Sequence, residues 1–389
     1  MPSPLPVSFR QWLPVICLAL VGFIFVTTEL MPIGLLPDIS GDFQRPEAQV
    51  GLMVTVYAWL VALCSLPLTI VTARFNRKTL LLLVLAGFTI SQFLAAMAQS
   101  FYFLLAVRLM TALCHALFWS IAPPLAVKVA PPGGATRALA VMAVISSLAT
   151  ILGMPLGTVI GHKLGWRITF AVIGLTSLII CGLLALNLPS SPGSSKEQKG
   201  PAFNPFRNKP LFRIYILTAL TVTGHFTAFT YISPLLAERG GFQPDTIAMY
   251  LLWLGASGII GNVIVSRFID GRPGACLVAG LALLALSLFL AGAASASAVG
   301  TALLCLAWGA SMGATSLNFQ TTVIRKSGFS QDMANSLYSS IFNVGIGGGA
   351  LLGSFLFRIF GVSAVTLGSA VMVLAAFAAA LLSYDRGQD

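Results

Sequence analysis

Two opposite charges sit deep in long apolar stretches of this chain. Glu29 is the only acid well inside such a stretch, and Arg108 is the one base of 22 that falls in neither a loop nor a tail. Each lies roughly seven residues from the end of its run on the same side, which at ~1.5 Å per helical residue puts both ~10 Å below the boundary. Equal depth is what an ion pair across a cavity needs. Burial disfavours a carboxylate and a nearby cation favours it, so a carboxyl balanced between the two can load and release a proton. The alternative is a permanent salt bridge that only pins two helices.

His115 follows Arg108 by seven residues, which stacks both on one helical face with Trp119 extending the stripe. His115 lies about 14 residues from the outer end of its run and His225 about 14 from the inner start of its own, which puts both near mid-membrane. One comes from each half of the chain. An imidazole there can hydrogen-bond a hydroxyl or take a proton, or it can be a satisfied core residue. Trp308, Ser311, Thr315, Asn318 and Thr322 recur at three or four residues, one polar stripe on an otherwise apolar helix. Such a stripe suits the lining of a wet cavity, although Ser and Thr also bond their own helix backbone. Tyr57 on the second run, Thr221 and Phe229 on the seventh, and Tyr338 and Asn343 on the eleventh add hydroxyl, amide and flat aromatic groups. Trp119 either stacks on a ligand or packs within the bundle.

The elements that must position these groups follow from composition. The chain is 57% hydrophobic and 8% charged, with a mean hydropathy of +0.92, whereas soluble domains average ~25% charged residues. Twelve apolar runs can be counted, most long enough to span a bilayer, which takes ~20 residues. The chain therefore reads as a polytopic all-α membrane protein. The first run, from about Trp12 to Leu36, is too long for a signal-peptide core and reads as an uncleaved span. The net charge of +11 is spread over short loops with no basic groove, so it speaks of topology rather than nucleic acid. With both termini on one side, that side holds 16 of the 22 basic residues and the other holds five, which places the termini in the cytoplasm. Residues 190–210 form a Ser/Pro/Gly-rich linker between two six-helix bundles, 1–189 and 211–389. The halves echo one another at an offset of 193: Tyr57 precedes Arg74 and Phe75 as Tyr250 precedes Arg267 and Phe268, and the glycines of 153–161 map near Gly345 to Gly353. The six cysteines lack metal-site or Cys-x-x-Cys spacing and read as small core residues, so no metal and no cofactor are expected.

Several local motifs resemble a known family. Six plus six spans with a middle linker look like the major facilitator superfamily. Thr27-Thr28-Glu29-Leu30-Met31-Pro32 and Gly153-Met154-Pro155-Leu156-Gly157 resemble its drug/proton antiporter-1 branch, as does Gly165-Trp166-Arg167. Together with Tyr57-Ala58-Trp59, the run from His115 to Ser120 and Phe342-Asn343-Val344-Gly345, they look most like bacterial sugar-efflux transporters of the arabinose and thiogalactoside type. The resemblance implies a proton-coupled exporter of small sugars in the bacterial inner membrane, working as a monomer without a cofactor. Glu29, Arg108 and His115 would couple protons. Tyr57, His115, Trp119, His225, Trp308, Ser311, Thr315, Asn318 and Asn343 would bind substrate. One departure stands out. The superfamily's loop after the second span carries an acid and two glycines, and here the matching residues are Thr69, Ala73, Arg74, Asn76, Arg77 and Lys78. The charge lock of that loop is thereby put in doubt, while its bases still anchor topology.

Other classes fit less well. A multidrug or nucleoside antiporter would use many of the same groups; a drug exporter favours a more apolar pocket. Gly255-Ala256-Ser257-Gly258 matches the Gly-x-Ser-Gly of intramembrane serine proteases, with His225 as the base, but the motif is weak in a chain with 37 glycines. No zinc-protease motif, phosphate-binding glycine loop or ATP-binding domain is present, and no enzyme activity is expected.

Overall fold

The computed structural model describes residues 9–45, 47–190, 208–328 and 331–384, and their regular structure is entirely helical. Two compact units are formed. Unit 1 comprises Met1–Phe203 with Phe329–Ser340, and unit 2 comprises Asn204–Gly328 with Ile341–Asp389. Unit 1 contains α1 (Phe9–Gly34), α2 (Leu36–Phe43), α3 (Glu47–Val71), α4 (Arg77–Ala96), α5 (Phe101–Val129), α6 (Ala135–Leu148), α7 (Met154–Leu164) and α8 (Trp166–Asn187). Unit 2 contains α9 (Lys209–Phe229), α10 (Ile232–Gly240), α11 (Pro244–Phe268), α12 (Pro273–Ala294), α13 (Ala298–Lys326) and α15 (Val362–Tyr384). The helix α14 (Gln331–Phe360) belongs to unit 1 up to Ser340 and to unit 2 from Ile341. The sequence division at residues 190–210 assigned all of α14 to the second bundle.

Among the described residues, 11 helical stretches are long and apolar enough to cross a membrane, and α3 adds a shorter one, Val56–Val71. Polar caps start several helices. Ser100 accepts from the Phe103 amide at the head of α5, and Ser297 accepts from the Gly300 amide at the head of α13. The run at 138–160 is not one regular helix. A π-helical turn, Ala149–Gly153, divides α6 from α7. Its cause is local: Pro155 has no N–H to offer the carbonyl four residues back, and widening the turn accommodates the lost bond.

A glycine seam holds α7 against α1. A Cβ on Gly153 or Gly161 would press hard on Thr27 or Leu35, and one on Gly157 would touch Met31, so small residues let the two helices approach closely. Unit 2 repeats the seam between α14 and α9, where Gly345, Gly349 and Gly353 face Val222, Phe226 and Tyr231. In unit 1 the core behind the seam is aromatic: Phe25 stacks on Phe118 with centroids 4.7 Å apart and meets Phe88 at 4.2 Å.

The loop after α3 makes an ion pair despite lacking the acid. Arg77 Nη2 lies 2.5 Å from Asp332 Oδ2 on the first turn of α14, and Arg77 Nη1 donates to the Thr72 carbonyl at 3.1 Å. The base opens α4, directly after the loop, and the acid comes from the far helix.

Candidate functional site

Proline in α1 prepares the site. Pro32 has no N–H for the Thr28 carbonyl, so that oxygen is left without its helical donor. Arg108 Nη1 donates to it at 2.8 Å. The guanidinium carbon then sits 4.4 Å from the centroid of the Tyr57 ring, a cation–π contact worth roughly 2 kcal/mol when desolvated. Arg108 is 1% exposed, yet its Nε and Nη2 have no hydrogen-bond partner among the described residues. A charge buried this far costs several kcal/mol. One charged hydrogen bond, ~1.5–3 kcal/mol, and the aromatic face recover part of that and leave two donors available.

From Tyr57 the contacts continue to an acid. The Tyr57 hydroxyl lies 2.9 Å from His115 Nδ1, and His115 Nε2 lies 3.7 Å from Glu29 Oε2. The last gap exceeds a hydrogen bond but needs only a small approach to become one. Phe25 holds the imidazole edge-on at 5.6 Å. The expected ion pair between Glu29 and Arg108 is therefore not formed. Arg108 reaches the backbone of Thr28 instead, and Glu29 faces His115. Depth along a helix does not fix rotation about its axis, and successive side chains on α1 point ~100° apart.

The cluster has two self-consistent protonation patterns. With Glu29 ionised, His115 keeps its proton on Nε2 toward the carboxylate, and Nδ1 accepts from the Tyr57 hydroxyl. With Glu29 protonated, Nε2 can be the acceptor and Nδ1–H turns to the Tyr57 oxygen. One proton added at Glu29 reverses each bond.

Unit 2 treats its histidine differently. Trp308 Nε1 donates to His225 Nδ1 at 2.9 Å. An indole nitrogen is donor only, so His225 is held neutral with its proton on Nε2. Phe229 stacks on the ring at 5.2 Å and Phe226 meets it edge-on at 4.9 Å. His225 thus offers one N–H and no proton-loading nitrogen at Nδ1. Part of the stripe expected to line a cavity turns toward the helices beside it, while Asn318 and Thr322 line a cavity near the end of α13. Ser311 bonds the Trp308 carbonyl, Thr315 faces Gly280 of α12, and the Asn318 amide donates to the Pro273 carbonyl at the head of α12. Small residues on α12 draw the polar face of α13 into a packing seam. Asn343 is half-buried on α14, beside Phe342, which meets Phe226 at 6.5 Å.

Trp119 is half-buried, 6.3 Å from the His115 ring, and its indole also packs at Gly22. A partner missed in the sequence sits beside it. The Asn335 amide donates to the Trp119 and Ser120 carbonyls at 2.6 and 3.3 Å. Pro123 and Pro124 lie four residues further on and leave those two oxygens without helical donors. The adjacent prolines inside an apolar run were the available signal. The protease reading finds no catalytic pair: the Ser257 hydroxyl is directed at the Leu254 and Cys305 carbonyls, and His225 Nδ1 is taken by Trp308.

Known proteins share both the family pattern and the architecture. A profile of the Major Facilitator Superfamily matches residues 18–331. The chain belongs to that superfamily. Its fold is similar to the human organic anion transporter MFSD10 (TETRAN), with TM-score 0.79 at 18% identity, covering 95% of this chain and 99% of that one. It is likewise similar to FucP, a superfamily transporter in the outward conformation, with TM-score 0.78 at 15% identity, covering 96% and 99% of the two chains. At such identity the likeness speaks for the fold alone. The superfamily protein is a multi-pass membrane transporter, and its family and fold indicate transport rather than catalysis.

Proposed function

We propose that this transporter, of the drug/proton antiporter-1 branch, exports small sugars of the arabinose or thiogalactoside type across a bacterial inner membrane in exchange for inward protons. The observation that carries the reading is the contact chain Glu29–His115–Tyr57–Arg108, an acid and a base joined through two groups that can each reverse a hydrogen bond. Ionised Glu29 is attracted to the two unmet donors of Arg108, and protonated Glu29 is not. Proton loading thereby changes which arrangement of unit 1 is favoured, as coupling requires. Within unit 1, His115 and Tyr57 supply hydrogen bonds suited to hydroxyls, and Trp119 supplies a flat face. The excess of bases in the loops on the side of both termini supports a cytoplasmic placement of those termini.

Everted vesicles with an imposed pH gradient test the reading. Labelled arabinose or thiogalactoside should accumulate with the parent. Glu29→Gln should lower gradient-driven accumulation at least tenfold while leaving sugar exchange without a gradient in place. If Glu29→Gln still couples sugar movement to protons as well as the parent, the coupling role is wrong. If a nucleoside or a cationic dye accumulates and neither sugar does, the sugar assignment is wrong.

A further inference from the structure

Asn335 meets α5 from an anchored turn of α14. Three residues earlier, Asp332 pairs with Arg77 at 2.5 Å, and residues three apart share a helix face. Asn335 is 1% exposed. Its Nδ2 gives one N–H to the Trp119 carbonyl at 2.6 Å and the other to the Ser120 carbonyl at 3.3 Å, all within unit 1. The acceptors fix the orientation of the amide, because turned over it would set its oxygen against two carbonyl oxygens. That oxygen is buried with no hydrogen-bond partner among the described residues. The side chain thus supplies two donors to α5 while its own acceptor goes unmet, an arrangement that costs stability and is explained if the donors are needed.

The two carbonyls mark the weakest point of α5. In a regular helix they would accept from the amides of residues 123 and 124, and both are proline. Two consecutive rungs are therefore missing, and helices bend where rungs are missing. The segment before this point carries His115 and ends at Trp119, whose carbonyl is itself one of the freed oxygens. Its other side is fixed: Ala112 and Ala116 pack on Tyr57, and the Ser120 hydroxyl donates to the Ala116 carbonyl at 2.7 Å. A bend at residues 119–124 would shift the Trp119 indole from its seat at Gly22 and change its angle to the His115 ring. The Asn335 amide opposes that bend by standing in for the two lost donors.

We propose that Asn335 is a positioning residue for the substrate site: it replaces the two missing rungs of α5 and so holds Trp119 and His115 at the angle that binds sugar. It touches no sugar and acts through the backbone of α5. The inference rests on the reading of His115 and Trp119 as sugar contacts.

A double-mutant cycle on the full-length protein tests this, with labelled thiogalactoside in everted vesicles and unfolding in detergent. Asn335→Leu keeps the size of the side chain and removes both donors. It should raise KM about tenfold and leave kcat unchanged, the signature of lost binding. Its unfolding temperature should fall by several degrees. Pro123→Ala/Pro124→Ala returns to α5 its own two N–H groups. In that background Asn335→Leu should change KM by at most about twofold and leave the unfolding temperature in place, because the clamp is no longer needed. Should Asn335→Leu alone fail to fold, the triple variant decides: folding with the KM of the double variant supports the clamp, and failure to fold overturns it. An equal rise of KM in both backgrounds would overturn the assigned acceptors. A lowered stability with KM unchanged would overturn the positioning role. A parent that moves no thiogalactoside would sink the functional reading on which the inference rests, an outcome distinct from the others.

Discussion

The two units solve the same packing problem with the same device and then diverge in charge. Each packs a glycine-bearing helix tightly on its first long helix, α7 on α1 and α14 on α9. The offset that carries Tyr57 to Tyr250 also carries Arg77 to Asp270, Arg108 to Thr301 and His115 to Trp308. Arg108 is buried against Tyr57 and a freed carbonyl, whereas Thr301 bonds the Ser297 carbonyl of its own helix. Tyr57 reaches an imidazole, whereas Tyr250 reaches the Ala298 carbonyl. Unit 1 therefore keeps an ionisable chain in its interior, and unit 2 has neutral hydrogen bonds at Tyr250, Thr301 and Trp308. A duplicated scaffold needs its charges in only one copy to respond to a proton. The other copy can then serve as fixed polar surface.

The sharpest test of this contrast is the pair of ion pairs. Arg77–Asp332 is nearly buried, with 5% and 14% of the side chains exposed, while Arg325–Asp270 is 39% and 58% exposed. Arg77→Gln leaves a carboxylate without its partner and should cost about 3 kcal/mol; Asp332→Asn added to it should restore most of the loss. Arg325→Gln should cost under about 1 kcal/mol. Equal shifts in thermal unfolding of the two purified variants would break the comparison.

The seams should differ next. A Cβ on Gly349 would fall 2.6 Å from the Thr223 carbonyl oxygen, which belongs to a helix backbone and cannot step aside. On Gly157 it would meet the Met31 side chain at 3.0 Å, and methionine is adaptable. Gly349→Ala should therefore cost about 2–3 kcal/mol and Gly157→Ala under about 1 kcal/mol, read as unfolding in detergent.

A smaller effect separates the histidines by kind. Trp308→Phe leaves His225 Nδ1 unmet and should cost about 1–2 kcal/mol with the pH profile of transport unchanged. Tyr57→Phe costs a similar amount but removes the hydroxyl that answers the His115 tautomer, so the midpoint of the same profile should move. A profile that moves for Trp308→Phe and stays for Tyr57→Phe would reverse the roles of the units. The least effect is expected from Ser257→Ala. It loses a hydroxyl that only bonds backbone carbonyls, so stability should fall by less than ~1 kcal/mol and transport should survive.

Much of the positioning was written in prolines. Pro32 marks Thr28 as the carbonyl that needs an outside donor, and Pro123 with Pro124 mark Trp119 and Ser120 in the same way. Read so, the sequence names the acceptors but not the donors. Arg108 and Asn335 become donors only when α5 and α14 are brought alongside. The stripe on α13 is divided: Asn318 and Thr322 line a cavity, and Trp308, Ser311 and Thr315 do not. Its spacing established that Trp308, Ser311, Thr315 and Asn318 share a face, and the same spacing serves a wet cavity or a seam against Gly280 and Pro273 equally well. The loop after α3 lacks the acid the family carries there, and Arg77 pairs instead with Asp332, more than 250 residues away.

The amino-acid order alone determined that this chain is a bundle of membrane-spanning helices in two related halves. Long apolar runs can satisfy their backbone in lipid only by forming helices, and the glycine repeats allow those helices to meet closely. The motifs also placed it within its superfamily. Tertiary structure decided the rotation of each helix about its axis, and with it that Glu29 faces His115 rather than Arg108, that His225 is held by Trp308, and that α14 starts on unit 1. Hydrophobicity sets depth along the membrane normal, but the contacts between side chains depend on azimuth, which only the packing of neighbouring helices fixes.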